Sequence, residues 1–129
     1  MPELASEAGE AVIREFVRAF NEGDLDAFEA TLDPEVELHS MKGLRQGIPA
    51  AREWATRAPG GVQQTVSITS IETLGPKSLV RIRRDWHWDE DGSHAGSDDM
   101  AWFFQLEDGK VRTWRPFADT AEAFAVFNA

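Results

Sequence analysis

Apolar residues recur every three or four positions at the start of the chain and every second position later, so a helical part is followed by a strand-rich part. Ile13, Phe16, Val17 and Phe20 form the i, i+3, i+4, i+7 stripe of an amphipathic helix that starts near Ser6. Asn21-Glu22-Gly23 ends it. Asp24 is placed to cap a second, short helix carrying Leu25, Phe28 and Leu32 inward, until Asp33-Pro34 stops it. A short strand is expected over 36–41, then a loop bracketed by Gly43 and Gly47. Pro49 fits the first turn of a third helix that carries Ala51, Trp54, Ala55 and Ala58 on one face and stops at Pro59-Gly60-Gly61.

Beyond residue 61 the alternation predicts four long strands, over 62–74, 78–89, 95–107 and 110–117, joined by turns at Gly75-Pro76, Asp91-Gly92 and Asp108-Gly109. Val66 and Ile68 share a parity that Ile71 leaves, which places a bulge near Thr69. Residues 121–127 read as a closing helix. No repeat or linker interrupts the pattern, so one domain spans 1–129. Helices first and a bent meander afterwards predict an α+β fold: a cone-shaped, strongly bent antiparallel sheet with three N-terminal helices closing a cavity. The helices are expected on one face of the sheet, and a ligand would sit between the two layers.

Charge narrows the partners. Thirteen Lys and Arg against twenty-three Asp and Glu give a net charge of -10, which argues against nucleic acid and anionic membranes. No stretch has the roughly 20 apolar residues of a membrane span, and no signal-peptide pattern is present, so a cytoplasmic protein is expected. The chain has no Cys, which removes thiolate nucleophiles, disulfides and zinc-thiolate sites. It has no Tyr either, so no phenol can donate to an oxyanion. His39, His87 and His94 lack ligand spacing, and Asp89-Glu90-Asp91 with Asp98-Asp99 lacks the grammar of a calcium loop, so neither a metal nor a cofactor is expected.

One strand carries candidate chemistry. Residues two apart share a face, so Arg83, Asp85 and His87 line one side and Val80, Ile82, Trp86 and Trp88 the other. Facing the cavity, Asp85 would be a base kept ionised by Arg83, and His87 could return the proton. An amphipathic strand ordinarily turns its polar side to water, which would make Asp85 a surface residue. Turn geometry leaves both options open. A two-residue turn at Asp91-Gly92 pairs Arg83 with Met100 and sets Asp85 on the face of Met100 and Trp102, whereas a longer, bulged loop reverses the parity. On the next strand Met100, Trp102, Phe104 and Leu106 are the bulkier alternate set and should face inward. With Trp114, Phe16, Phe20 and Trp54 they predict an aromatic cavity for a flat or alicyclic molecule.

Asn21-Glu22-Gly23-Asp24-Leu25-Asp26-Ala27-Phe28, followed by Leu32-Asp33-Pro34-Glu35-Val36, resembles the first helical hairpin of the nuclear-transport-factor-2-like superfamily, in its SnoaL-like branch. Phe104-Gln105-Leu106-Glu107-Asp108-Gly109-Lys110-Val111, then Trp114-Arg115, Asp119 and Ala121-Glu122-Ala123, resemble that branch's last two strands and C-terminal helix. The fold hosts isomerases, cyclases, epoxide hydrolases, dehydratases and non-catalytic proteins. Arg83-Arg84-Asp85 matches the Arg-x-Asp of the limonene-epoxide-hydrolase pattern, but Pro116 stands for its second Asp, and its Tyr and Asn fall near Leu38 and Ser40. The ketosteroid-isomerase pattern needs a Tyr that is missing. The SnoaL cyclase pattern needs a single Asp in an apolar cavity, a part Asp85 could fill.

The resemblance implies Arg83 and Asp85 inside, and His39 on the first strand as a ligand contact. It implies Trp86 and Trp88 outside, where with Phe103 and Phe117 they would form a homodimer surface on the outer sheet face. Two functions are expected on this basis. One is a SnoaL-like enzyme (isomerase, cyclase or hydrolase type) doing cofactor-independent proton transfer or water addition on a small apolar substrate, with Asp85 as base. The other is a non-catalytic ligand-binding or dimerisation module of the same fold.

Overall fold

The computed structural model describes residues 2–40, 43–56 and 62–128. Along it run α1 (Pro2–Glu22), α2 (Leu25–Ala30), β1 (Leu32–Ser40), β2 (Gly43–Gln46), α3 (Ile48–Ala55), β3 (Val62–Leu74), β4 (Lys77–Trp88), β5 (His94–Glu107), β6 (Lys110–Phe117) and α4 (Thr120–Phe127). Met41, Ala58 and the Pro59-Gly60-Gly61 stop fall outside the described residues. The six strands form one bent sheet in the order β2-β1-β6-β5-β4-β3, parallel between β1 and β6 and antiparallel elsewhere. This is the expected α+β cone, with α1 to α3 packed on the inner face.

The helix signals act as read. Asp24 caps α2 by accepting from the backbone N–H of Ala27 at 3.1 Å. Ile13, Phe16, Val17 and Phe20 are buried against Trp102, Phe104 and Trp114. Asn21 does more than end α1. Its side-chain amide donates to the Val66 carbonyl and accepts from the Val66 N–H, both at 2.8 Å, so it pairs like a strand residue and fastens α1 across β3. The bulge falls where parity placed it, because pairing jumps from Ile68–Ile82 to Ser70–Arg81 and leaves Thr69 as the extra residue.

Three boundaries differ from expectation. Leu32 opens β1 instead of closing α2, and Pro34 is tolerated because the β1–β6 register breaks between Leu32 and Glu37. The expected loop between Gly43 and Gly47 is a four-residue edge strand that pairs with 37–40 of β1. The helices also cover both faces: α4 lies on the outer side, where Ala123 and Phe127 pack on Leu79, Ala101 and Phe103.

The outer apolar patch expected for a homodimer therefore does not form. Phe103 is buried beneath the chain's own α4, with Phe117 packed beside it. Trp86 and Trp88 are on the inner side of β4, since they share the parity of Val80 and Ile82.

Candidate functional site

The apolar alternation of β5 turns Met100, Trp102 and Phe104 toward the helices, and Phe104 pairs with Trp114 on β6. The Trp102 and Trp114 rings meet edge to face at 5.2 Å. From the helix side, Trp54 stacks on Phe20 at 5.3 Å and lies 4.8 Å from Trp114. Such contacts contribute about 0.5–1.5 kcal/mol each beyond burial, so the wall is held in a defined arrangement. Between these rings and the sheet lies an open cavity of about 420 Å³, within the range of small-molecule sites.

Its polar lining is Ser40, Arg45, Glu53, Thr56, Gln64 and Arg84. Two hydroxyls are already used: Ser40 donates to the Gly43 carbonyl at 2.6 Å and Thr56 to the Arg52 carbonyl at 2.8 Å. Arg84 is paired with Asp98 across the β4–β5 ladder, through Nε to Oδ1 at 2.8 Å and a second contact from Nη2 to Oδ2. Those bonds hold the Asp98 carboxyl below its ordinary pKa against a smaller opposing effect of burial. Arg45 and Glu53 have no side-chain ion pair or hydrogen bond among the described residues.

Five of the residues expected at the site line this cavity: Phe20, Trp54, Met100, Trp102 and Trp114. Phe16 and Phe104 lie in the core behind it, fully buried and 5.1 Å apart. His39 faces away, with Nε2 at 3.6 Å from Glu37, because Leu38 is the β1 residue turned inward beside Arg45 and Trp114.

The charged row of β4 also stands on the other side. Ile82 pairs with Met100 and Arg84 with Asp98, while Arg83 pairs with Asp99 and Asp85 with Ser97. Arg83, Asp85 and His87 are thus brought near one another on the outer face. Asp85 lies 3.4 Å from Arg83 Nε and 3.5 Å from His94 Nε2, and the His87 and His94 rings are 5.7 Å apart.

A bulge beyond the turn explains the reversal. Asp91 Oδ1 accepts from the Ser93 N–H at 2.9 Å and the Ser93 hydroxyl at 2.7 Å, which lowers the Asp91 pKa and withdraws Ser93 from pairing with Glu90. The loop then spans 89–93 and sets His87 opposite His94, which keeps the parity of a two-residue turn; the bulge that follows leaves Ala95 over between His94 and Gly96 and shifts the ladder by one residue. At Asp108-Gly109, by contrast, both residues have positive φ, 52° and 76°, as a two-residue hairpin turn requires.

Arg45, Glu53 and Arg84 are the charged lining residues that sequence reasoning missed. Arg84 carried a signal, since it has the parity of Val80 and Ile82. Arg45 was hidden in an edge strand read as loop, and Glu53 was overlooked beside Trp54. Among the described residues no group of His, Asp and Glu is arranged to hold a metal ion. No helix among them is long and apolar enough to cross a membrane.

The sequence model of the SnoaL-like domain matches residues 13–114, which include both the helical hairpin and the strands that line the cavity. The chain belongs to the SnoaL-like family. Solved structures extend the likeness to nearly the whole fold. An LEH-like epoxide hydrolase from M. tuberculosis superposes with a TM-score of 0.74 at 18% identity, over 95% of this chain and 90% of that one. A candidate polyketide cyclase from Xanthomonas campestris gives 0.73 at 19%, over 92% and 96%. A candidate ketosteroid isomerase from Kribbella flavida gives 0.69 at 18%, over 86% and 77%. At these identities the SnoaL-like chain shares their architecture, and no activity follows from it. No curated protein sequence matches it.

Proposed function

We propose that this SnoaL-like chain is a cofactor-independent enzyme that transfers a proton on, or adds water to, a small, flat, apolar substrate held in the aromatic cavity. The observation that carries the reading is Glu53, a carboxylate with no partner among the described residues, on the rim of a cavity walled by Phe20, Trp54, Trp102 and Trp114. The aromatic walls recognise the substrate, and Glu53 accepts a proton from substrate carbon or from water. In an isomerisation or cyclisation the electron pair left behind moves onto a substrate oxygen, and protonated Glu53 then returns its proton to another atom. Asp85 is outside this scheme because it faces the opposite side of β4. A base of this kind contributes about 10²–10⁴ in rate.

The test is turnover of a panel of polycyclic and alicyclic ketones and epoxides, followed by Glu53→Gln on any substrate found. The variant should fold normally and lose about a hundredfold or more in kcat. Undiminished turnover removes Glu53 from the role. The second reading, a non-catalytic binder, draws on Pro116, which occupies the cavity wall where the epoxide-hydrolase pattern has its second Asp. Panel compounds that bind without ever being converted would favour that reading over the first.

A further inference from the structure

Buried side-chain donors almost always have acceptors, so each exception calls for a cause. Among the described residues three such polar atoms have none: Arg45 Nε, Trp102 Nε1 and Trp114 Nε1. All three are N–H donors, and all three belong to residues of the one cavity wall. They also stand in a line across the sheet. Leu38 on β1 pairs with Arg45 on its β2 side and with Trp114 on its β6 side, and the Trp114 ring touches that of Trp102 on β5.

Charge at the wall points the same way. Asp98 neutralises Arg84, whereas no carboxylate among the described residues pairs with Arg45. Beside the carboxylate of Glu53 the wall thus offers a cation and two neutral donors, and the enclosing rings ask for a flat partner. No protein acceptor among the described residues relieves the three donors, so the complement is a ligand that is apolar over its faces and carries acceptor oxygen at one edge.

We infer that the cavity takes a planar, apolar ligand bearing an anionic oxygen, either a carboxylate or an ionised enol, received by Arg45 with the indole N–H groups of Trp102 and Trp114. This deepens the proposed function and rests on the same cavity being the ligand site. It also gives Arg45 a place in the reaction, since an oxygen that gains negative charge when Glu53 removes a proton would be held by the same cation.

The test uses four probes with one ring system: naphthoate, an ionised hydroxynaphthoquinone, neutral naphthylmethanol and cationic naphthylmethylammonium. Binding is followed by the indole N–H signals of the isotopically labelled chain. Both anions should bind about tenfold or more tighter than the alcohol and shift the Trp102 and Trp114 signals, leaving the exposed Trp88 signal in place. The tighter of the two anions identifies the oxygen chemistry. Arg45→Gln should erase the preference without changing the alcohol's affinity, and Arg45→Lys should keep most of it.

The inference is overturned if the alcohol binds as well as the anions, or if Arg45→Gln weakens every probe alike. Should Arg45→Gln fail to fold, the charge series on the unaltered chain together with Arg45→Lys decides. Ring compounds that bind without regard to charge would overturn this inference alone. If none of the four binds, the proposed function falls with it.

Discussion

Arg84 on the inner face of β4 and Arg83 on the outer face are chain neighbours, and each makes an arginine–aspartate couple. Arg84 reaches Asp98 across the ladder and stands 5.1 Å over the Trp86 ring. Arg83 reaches Asp85 along its own strand at 3.4 Å and Ser97 at 2.9 Å. The Arg83 side chain is 50% exposed and that of Arg84 only 23%, because the Trp86 ring and the cavity wall cover Arg84, although Asp98 at 46% is more open than Asp85 at 26%. A charged pair becomes useful to a reaction where solvent is excluded and fields are not screened. The two couples therefore teach that an Arg-x-Asp spacing finds a pair of charges, while the enclosure around it decides whether they belong to a site.

The largest expected effect separates the enclosed centre of the inner face from its exposed end at Trp88. Trp102 is 3% exposed and Trp88 is 49% exposed. Trp102→Ala should cost about 3–5 kcal/mol in chemical denaturation. Trp88→Ala should cost no more than about 1 kcal/mol in the same experiment. Equal losses would show that enclosure does not set the energy of the inner-face aromatics.

Asn21→Ala comes next. It strips both backbone groups of Val66 of their partner and loosens α1 over the inner face, at about 1–3 kcal/mol, read from the same denaturation curves. Amide exchange at Val66 should rise in that variant, and unchanged protection there would show that α1 is held by its apolar stripe alone.

Asp85→Asn is expected to do less. An exposed pair contributes about 0–1 kcal/mol, so stability should hardly move, and binding of the ring probes should be unaffected. Weakened binding in this variant would carry the chemistry back to the outer face.

The smallest effect is a titration. Hydrogen bonds from Arg84 depress the Asp98 pKa, so the stability this contributes is complete above the unfolded value near about 4 and disappears as pH falls through the lower folded value. Carboxyl signals followed by pH should place Asp98 below the ordinary aspartate value, and Arg84→Met should raise it.

The fold was readable because its instructions are local. The α1 stripe, the Asp24 cap, the shift of parity around Thr69 and the alternation of β5 each act within a few residues, and each appears in the structure. The site was only half readable. Its rings follow from alternation, but the facing of β4 depends on the one extra residue, Ala95, that β5 carries between His94 and Gly96, and no local pattern in the sequence marks that bulge. Arg45 was invisible for a related reason. A four-residue edge strand between two glycines has too few positions to show a period, so its inward cation could not be told from a loop charge.

Thr69 permits one change of shape without a change of chemistry. Val66, Ile68 and Ile71 all join the inner core because one residue is left over between the last two. A chain from which codon 69 had been deleted would keep Val66, Ile68 and Ile71 on their present face, since Ile71 would fall into simple alternation with Ile68. Only the kink would go, and with it some depth of the cone. A one-codon deletion at this place is therefore milder for side-chain orientation than a deletion elsewhere in β3, and it offers a means of reshaping the cavity while leaving each residue of its lining unaltered.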